Sequence, residues 1–125
     1  MKNEFLAKAK ENIVVATWAY ENGHYNASAN RGYYAAFQAA IAALANAGII
    51  NLHRISHSGV QSLFATELIR RRKIYPTHLK SYLADLQRIR DDADYELKSV
   101  SKKKCATQLK QAKEFVEIIT KEIEK

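Results

Sequence analysis

Arg90 lies where a helical pattern calls for an apolar side chain. The pattern is an apolar stripe with spacings of three, four and seven residues, formed by Leu79, Leu83, Leu86, Ala93 and Leu97. A guanidinium on a buried face is unfavourable unless it is paired with a carboxylate, or faces a partner or a ligand. Asp94, one turn after Arg90, predicts a structural ion pair; an arginine that binds phosphate is the alternative.

The remaining candidate metal ligands do not form a convincing site. His53 and His57 are four residues apart, but the spacing straddles a predicted helix start, and no Cys, Asp or Glu lies in the same loop to complete a zinc site. Asp91, Asp92 and Asp94 fan across about 100° of a helix and share no common focus. We therefore expect no metal and no cofactor.

Two runs of basic residues have two interpretations. The first is Arg70, Arg71, Arg72 and Lys73, and the second is Lys102–Lys104. Such runs are typical of solvated helix ends, and they also suit phosphate contacts that would steer RNA or DNA without reading its sequence.

The composition predicts one all-α domain over residues 1–125. Only four glycines and one proline occur, and both residue types break helices. The single Cys105 excludes an internal disulfide, no stretch approaches the length of a membrane span, and the first residues lack the apolar core of a signal peptide. We expect a cytoplasmic protein that is not associated with a membrane.

The charge predicts a polyanionic partner. Twenty Lys and Arg against thirteen Asp and Glu give a formal net charge of +7. A field of this sign favours nucleic acid, a nucleotide or an acidic protein.

Apolar periodicity predicts about five helices in an up-and-down antiparallel bundle. Their expected ranges are 3–21; 26–47, capped by Asn26 or Ser28; Ser56 or Ser58 to the run at 70–73; Pro76 to Tyr95 or Leu97; and Ser99 or Ser101 onward. Residues 48–55 are expected to form an apolar connection, and the last helix could pair lengthwise with the first.

Two helix faces carry further predictions. Val14 and Trp18 are expected to widen the apolar face of the first helix, so that it touches two neighbours. The second helix has a stripe of mostly small residues, namely Arg31, Ala35, Gln38, Ala42 and Ala45. Such a stripe suits a tight helix pair and a dimer seam equally well.

Three blocks of the sequence, in the right order, resemble the HEPN domain family. They are residues 30–40 (NRGYYAAFQAA), residues 56–60 (SHSGV) with Phe64, and residues 90–95 (RDDADY). The resemblance is to the branch with Arg-x-Tyr-Tyr-Ala-x-Phe in its second helix and Arg-x-x-Ala-Asp-Tyr at the end of its fourth. It implies a helical bundle that commonly dimerises, with the motif helices of two protomers meeting at a shared cleft.

The resemblance also implies a function. Many relatives are metal-independent ribonucleases, often toxins encoded beside a small nucleotidyltransferase, whose motif is Arg, a polar residue, a short spacer and His. Arg90 and Asp91 match the first two positions, and Tyr95 stands in place of the His. Leu97 occupies the place of the tyrosine that accepts a nucleotide in relatives silenced by nucleotide transfer, so such a transfer is not expected here.

The replacement of His by Tyr95 has chemical consequences. A tyrosine with a pKa near 10 is a poor general base at neutral pH, so His57 is the histidine available for proton transfer. On an unbroken helix Tyr95 lies about 140° round from Arg90. We therefore expect either a helix that loosens after Ala93 or a site composed across a two-fold axis.

Three hypotheses follow: the two described next, which belong to different classes, and ligand binding in the bundle without chemistry. In the first, Arg90, Asp91 and Tyr95 form the centre of a toxin-like ribonuclease or RNA-binding dimer, with phosphate contacts from Arg31, His57 and the run at 70–73. In the second, the domain is a non-catalytic interaction module that partners a nucleotidyltransferase, and Arg90 forms a structural ion pair.

Overall fold

A computed structural model describes residues 1–49 and 56–125, and the predicted all-α bundle is confirmed. The elements are α1 (Lys2–Glu21), α2 (Tyr25–Asn46), α3 (His57–Leu63) with a π-helical continuation (Phe64–Arg71), α4 (His78–Tyr95) and α5 (Lys102–Ile123). His53 and most of the predicted connection at 48–55 lie outside the described residues. No helix within the two described ranges combines the length and apolarity needed to cross a bilayer.

The predicted caps are confirmed for α3 and α5 and wrong for α2. The Ser56 and Ser101 hydroxyl groups accept hydrogen bonds from the backbone three residues on. α2 begins one residue before Asn26, because the side chains of both predicted caps are used elsewhere. Asn26 Oδ1 accepts from the backbone N–H of Val100 (2.9 Å), and the Ser28 hydroxyl donates to a carbonyl of α1.

The stripe of small residues on α2 forms a tight pair with α1. Ala35 and Ala42 are completely buried, as are alanines on the facing side of α1. Where the stripe becomes polar, Asn12 Nδ2 of α1 donates to Gln38 Oε1 at 2.7 Å. Small side chains let the two backbones approach closely, so this face is used within the chain.

α2 is the central helix of the bundle and runs antiparallel to α1 and α4. Lys2 Nζ at the start of α1 donates to Asn46 Oδ1 at the end of α2 (2.9 Å). Asn30 Nδ2 near the start of α2 donates to the Asp94 carboxylate near the end of α4 (3.1 Å). The end of α4 is thereby fixed beside the first turns of α2.

The helix directions do not alternate strictly along the chain, because α3 runs in the same direction as α2. His57, the first residue of α3, lies against Tyr33 in the first half of α2 (2.8 Å between Nδ1 and the hydroxyl). After the π-helix, Arg72 Nη1 donates to the carbonyl of Ala47, just beyond α2 (3.3 Å). α3 therefore delivers His57 to the same end of the bundle as the end of α4.

The third predicted helix is not α-helical along its whole length. Over Phe64–Arg71 the backbone hydrogen bonds span five residues, as from Arg72 N–H to the Glu67 carbonyl (2.9 Å). The wider turn buries three apolar residues, Phe64, Leu68 and Ile69. Lys73 follows in the left-handed region with φ of 52°.

The expected role of Val14 and Trp18 is wrong. Trp18 is 58% exposed and Val14 is also exposed, although Trp18 stacks on His24 with 5.7 Å between ring centroids. α1 packs through its opposite, alanine-rich face, so hydrophobic type alone did not identify the buried side.

Leu97 does not extend the apolar stripe of α4. The helix ends at Tyr95, and Glu96 is extended with ψ of 149°. Leu97 is therefore fully exposed.

Gly32 allows α5 to pack against the start of α2. A Cβ at this position would lie 2.7 Å from Gln108 Oε1 and 3.1 Å from its Nε2. Gln108 is 2% exposed, and its Nε2 donates to the Ala29 carbonyl at 2.7 Å. A side chain at position 32 would therefore displace a buried, hydrogen-bonded amide.

We expect Gly32→Ala to lower the free energy of unfolding by about 1–2 kcal/mol, although alanine ordinarily favours a helix by about 1 kcal/mol over glycine. In a Gln108→Ala background the same substitution should be neutral or stabilising, because the clash is gone. Urea unfolding of the four proteins measures this cycle. An equal effect of Gly32→Ala in both backgrounds would contradict the packing argument.

Candidate functional site

Arg90 is held on the core side of α4, as the apolar stripe predicts. Its side chain is 17% exposed, and Nε lies 3.0 Å from Asp94 Oδ2. Nη1 donates to Asp91 Oδ1 and Nη2 donates to the Tyr34 hydroxyl, both at 3.1 Å. Three side chains from two helices thus fix the direction of the guanidinium.

The neighbours of Arg90 raise its pKa by more than its burial lowers it. Burial alone would lower the pKa of the guanidinium, but Tyr34, Asp91 and Asp94 raise the pKa above its ordinary value. The buried Nε lies close to Asp94 without hydrogen-bond alignment, so charge holds this pair together. Arg90 therefore stays positively charged in the folded protein.

The ring of Tyr34 carries two guanidinium groups. Cζ of Arg90 lies 5.4 Å from the ring centroid, and Cζ of Arg31 lies 5.1 Å from it. Both distances fall within the range of a cation–π interaction. Two permanent positive charges are thus gathered around one aromatic ring, and this arrangement favours an anion.

Arg31 is bound by amides and not by carboxylates. Its Nε donates to Asn30 Oδ1 (2.9 Å) and its Nη1 donates to Asn12 Oδ1 (3.3 Å). Among the ion pairs of residues 1–49 and 56–125, none includes Arg31. Asn30 also donates to Asp94, and so joins Arg31 to the ion pair of Arg90.

His57 is held beside the two arginines by aromatic rings. It stacks on Phe37 with 4.4 Å between ring centroids and packs edge-on against Tyr34 at 5.7 Å. Its Nδ1 lies 2.8 Å from the Tyr33 hydroxyl. His57 therefore shares Tyr34 as a neighbour with Arg31 and Arg90.

The Tyr33 hydroxyl orients the imidazole of His57. Burial raises the pKa of Tyr33, so the hydroxyl keeps its proton. Gln61 Nε2 also donates to that oxygen (3.2 Å). Because the Tyr33 hydroxyl can accept from Nδ1–H of His57 or donate to Nδ1, either tautomer leaves Nε2 as the nitrogen that can reach a substrate. In the Nδ1–H tautomer Nε2 has a free lone pair and can take a proton.

Tyr95 lies beside Arg90 within the same chain. The residue is 74% exposed, and its ring centroid is 5.9 Å from Arg90 Cζ. The expected loosening of the helix after Ala93 is wrong, because α4 continues unbroken to Tyr95. The side chains of Arg90 and Tyr95 nevertheless meet within one chain, and a site composed across a two-fold axis stays a prediction. We call the group of Arg31, Tyr34, His57, Arg90 and Asp94 the Arg90 cluster.

The comparison with protein families matches the HEPN domain over residues 3–123. The chain belongs to the HEPN domain family. The resemblance of its three sequence blocks to this family is thereby confirmed. A comparison with curated proteins gave no match.

The tetrabasic run of this HEPN domain does not join the Arg90 cluster. α4 begins at His78, shortly after the run, and twelve residues of helix place Arg90 about 18 Å further along. Arg71 pairs with Glu67 (3.2 Å), whereas Arg70 and Lys73 extend along a groove beside α4. Arg31 and His57 are the predicted binding residues that the structure brings to Arg90.

Several residues of the candidate site were missed by sequence analysis. Tyr34 and Asn30 lie within the block at 30–40, and Tyr34 follows Arg31 by three residues on the same helix face, a signal that could have identified it. Gln61 had no such signal, because its partners Tyr33 and Gln87 lie on two other helices.

Proposed function

We propose that this HEPN protein binds RNA at the Arg90 cluster and cleaves it without a metal ion, as a toxin-like endoribonuclease partnered by a nucleotidyltransferase. The observation that carries the proposal is the meeting of Arg31 and Arg90 on the ring of Tyr34, with Arg31 held by neutral amides. An uncompensated guanidinium beside a fixed one suits a phosphodiester.

The residues of the cluster support a division of labour. Arg90, directed by Asp91, Asp94 and Tyr34, would neutralise the charge that builds on the phosphate oxygens in the transition state. His57 would take the proton of the attacking 2′-hydroxyl or return one to the departing 5′-oxygen. The new bond joins the 2′-oxygen to phosphorus, the bond from phosphorus to the 5′-oxygen breaks, and the net proton count is unchanged.

The proposal includes a homodimer. Tyr95, beside Arg90 at the end of α4, is exposed, and so is Leu97, two residues further along the chain. A large aromatic and a large aliphatic side chain in this position suit a contact with a second copy, which would shelter the cleft from water.

The test is cleavage of single-stranded RNA in the presence of a chelator. We expect 5′-hydroxyl and cyclic-phosphate ends on the products, unchanged by EDTA, because no step calls on a metal ion. RNA that stays intact, together with no measurable binding, would exclude the proposal.

A second candidate is a non-catalytic module that docks a nucleotidyltransferase. Two observations favour it: Arg90 is already paired with Asp91 and Asp94, and α1 exposes Val14 and Trp18 as an apolar strip. The module predicts intact RNA and a purely structural effect of substitution at Arg90, so the experiments on RNA separate the two functions.

A further inference from the structure

A groove runs between α4 and the helix formed by α3 and its π-helical continuation. It consists of two adjoining cavities of about 450 and 310 Å³. The cavities share three lining residues, Ala65, Thr66 and Lys80, so they form one channel along the protein surface. Leu83 and Ala84 of α4 continue its apolar floor. We call this channel the α3–α4 groove.

Three cations line the α3–α4 groove, two of them in the larger cavity alone and the third, Lys80, where the two cavities meet. Arg70, Lys73 and Lys80 line the larger cavity. Within residues 1–49 and 56–125 no carboxylate lies within ion-pair distance of any of them, in contrast to Arg71 of the same run. The left-handed backbone at Lys73, with φ of 52°, is an uncommon conformation for lysine and is found at the rim of this cavity.

The smaller cavity is joined to the Arg90 cluster through the hydrogen bonds of Gln61. Gln61 lines the smaller cavity, and its Nε2 donates to Gln87 Oε1 of α4 (2.6 Å) and to the Tyr33 hydroxyl (3.2 Å). Tyr33 in turn contacts both His57 and Arg90. Ten residues of α4 separate Lys80 from Arg90, a distance of about 15 Å along the helix axis.

We propose that the α3–α4 groove is a track for single-stranded RNA, leading from the Arg90 cluster to a second phosphate site at Arg70, Lys73 and Lys80. This inference rests on the proposed function, which it extends to the shape of the substrate. Each cavity has the volume of a small-ligand pocket, which suits an unpaired nucleotide and is far too small for a duplex. An apolar floor with cations at one rim matches a base lying inward and a phosphate lying outward.

The test uses a triple variant, Arg70→Gln, Lys73→Gln and Lys80→Gln, and a control that removes the same charge from α5, Lys102→Gln, Lys103→Gln and Lys104→Gln. Binding of a fluorescent single-stranded decamer is measured between 50 and 200 mM salt. We expect the groove variant to raise Kd by on the order of tenfold. We also expect the slope of log Kd against log salt concentration to fall by about 2, because each of three phosphate contacts on a single strand contributes about 0.7 to that slope. The α5 control should change both much less, and a dinucleotide should bind all three proteins alike.

The outcomes are distinguishable. If the wild-type protein binds no RNA, the proposed function fails and the track fails with it. If the wild-type protein binds and cleaves RNA while the groove variant keeps its Kd and salt dependence, the track alone is overturned. If both triple variants weaken RNA binding equally, the general positive charge of the protein explains the binding. If oligoglutamate of matched charge displaces the RNA, the occupant of the groove is an acidic protein. Either result overturns the track. Thermal melting verifies that every variant is folded.

Discussion

Replacing Arg90 with alanine is expected to lower kcat/KM for RNA cleavage by at least about 100-fold, the loss typical when one fixed group that stabilises transition-state charge is removed. The structural reason is that the guanidinium of Arg90 has a fixed direction beside Tyr34. Asp91, Asp94 and Tyr34 hold its guanidinium in one orientation, and burial excludes alternatives. The measurement is cleavage of a labelled RNA under single-turnover conditions.

The matched control is Arg88→Ala. Arg88 lies on the same helix two residues earlier, and its ion pair with Asp85 (3.1 Å) is on the exposed side. It removes an equal charge and should leave cleavage within about twofold, because exposed pairs contribute little. Cleavage by Arg90→Ala at the rate of Arg88→Ala would show that Arg90 does no chemistry.

A second substitution separates chemistry from stability. Arg90→Ala leaves Asp94 without its cation, so a lower melting temperature is expected in either functional class. Arg90→Lys keeps the charge but cannot reach Asp91, Asp94 and Tyr34 together, because a lysine lacks the planar fork. We expect Arg90→Lys to melt closer to the wild type and still to lose activity. If the wild-type protein leaves RNA intact and Arg90 variants change only the melt, the interaction module is the better description.

The inward position of Arg90 could be predicted because it depends on one helix. The apolar stripe of α4 has a regular period, and Arg90 with Asp94 falls on that period whatever lies opposite. Val14 and Trp18 show the limit of the same reasoning. Periodicity identifies apolar positions, but the number of neighbours around a helix decides how many of them are covered, and α1 has too few to cover both.

The Arg90 cluster itself could be predicted only in part. Arg31 and His57 were linked to Arg90 through the family resemblance, since they lie on different helices and no spacing connects them. The bond from Arg90 to Tyr34, the orientation of His57 by Tyr33 and the π-helix before Arg72 all depend on how α2, α3 and α4 pack together. Contacts between residues distant in sequence leave no periodic signal.

Replacing Tyr95 with histidine is expected to raise the rate of RNA cleavage by about 100-fold near neutral pH, the lower end of what a positioned general acid or base contributes. In the motif that this chain resembles, Tyr95 occupies the histidine position, and it lies within 5.9 Å of Arg90 Cζ. A tyrosine hydroxyl exchanges its proton too reluctantly at pH 7, whereas an imidazole does so readily. Since Tyr95 is 74% exposed, the substitution should leave folding unchanged.

The pH dependence distinguishes a catalytic gain from better binding. The cleavage rate of Tyr95→His should change with pH at about 6.5, where the new imidazole titrates. The increase in rate should appear in kcat. Tyr95→Phe is the control: it keeps the ring beside Arg90 and removes the hydroxyl, so an unchanged rate would show that the hydroxyl takes no part in proton transfer. A Tyr95→His protein that gains nothing at any pH would mean that position 95 does not face the scissile phosphate. His57, oriented by Tyr33 and packed edge-on against Tyr34, would then be the remaining residue that transfers protons at this site.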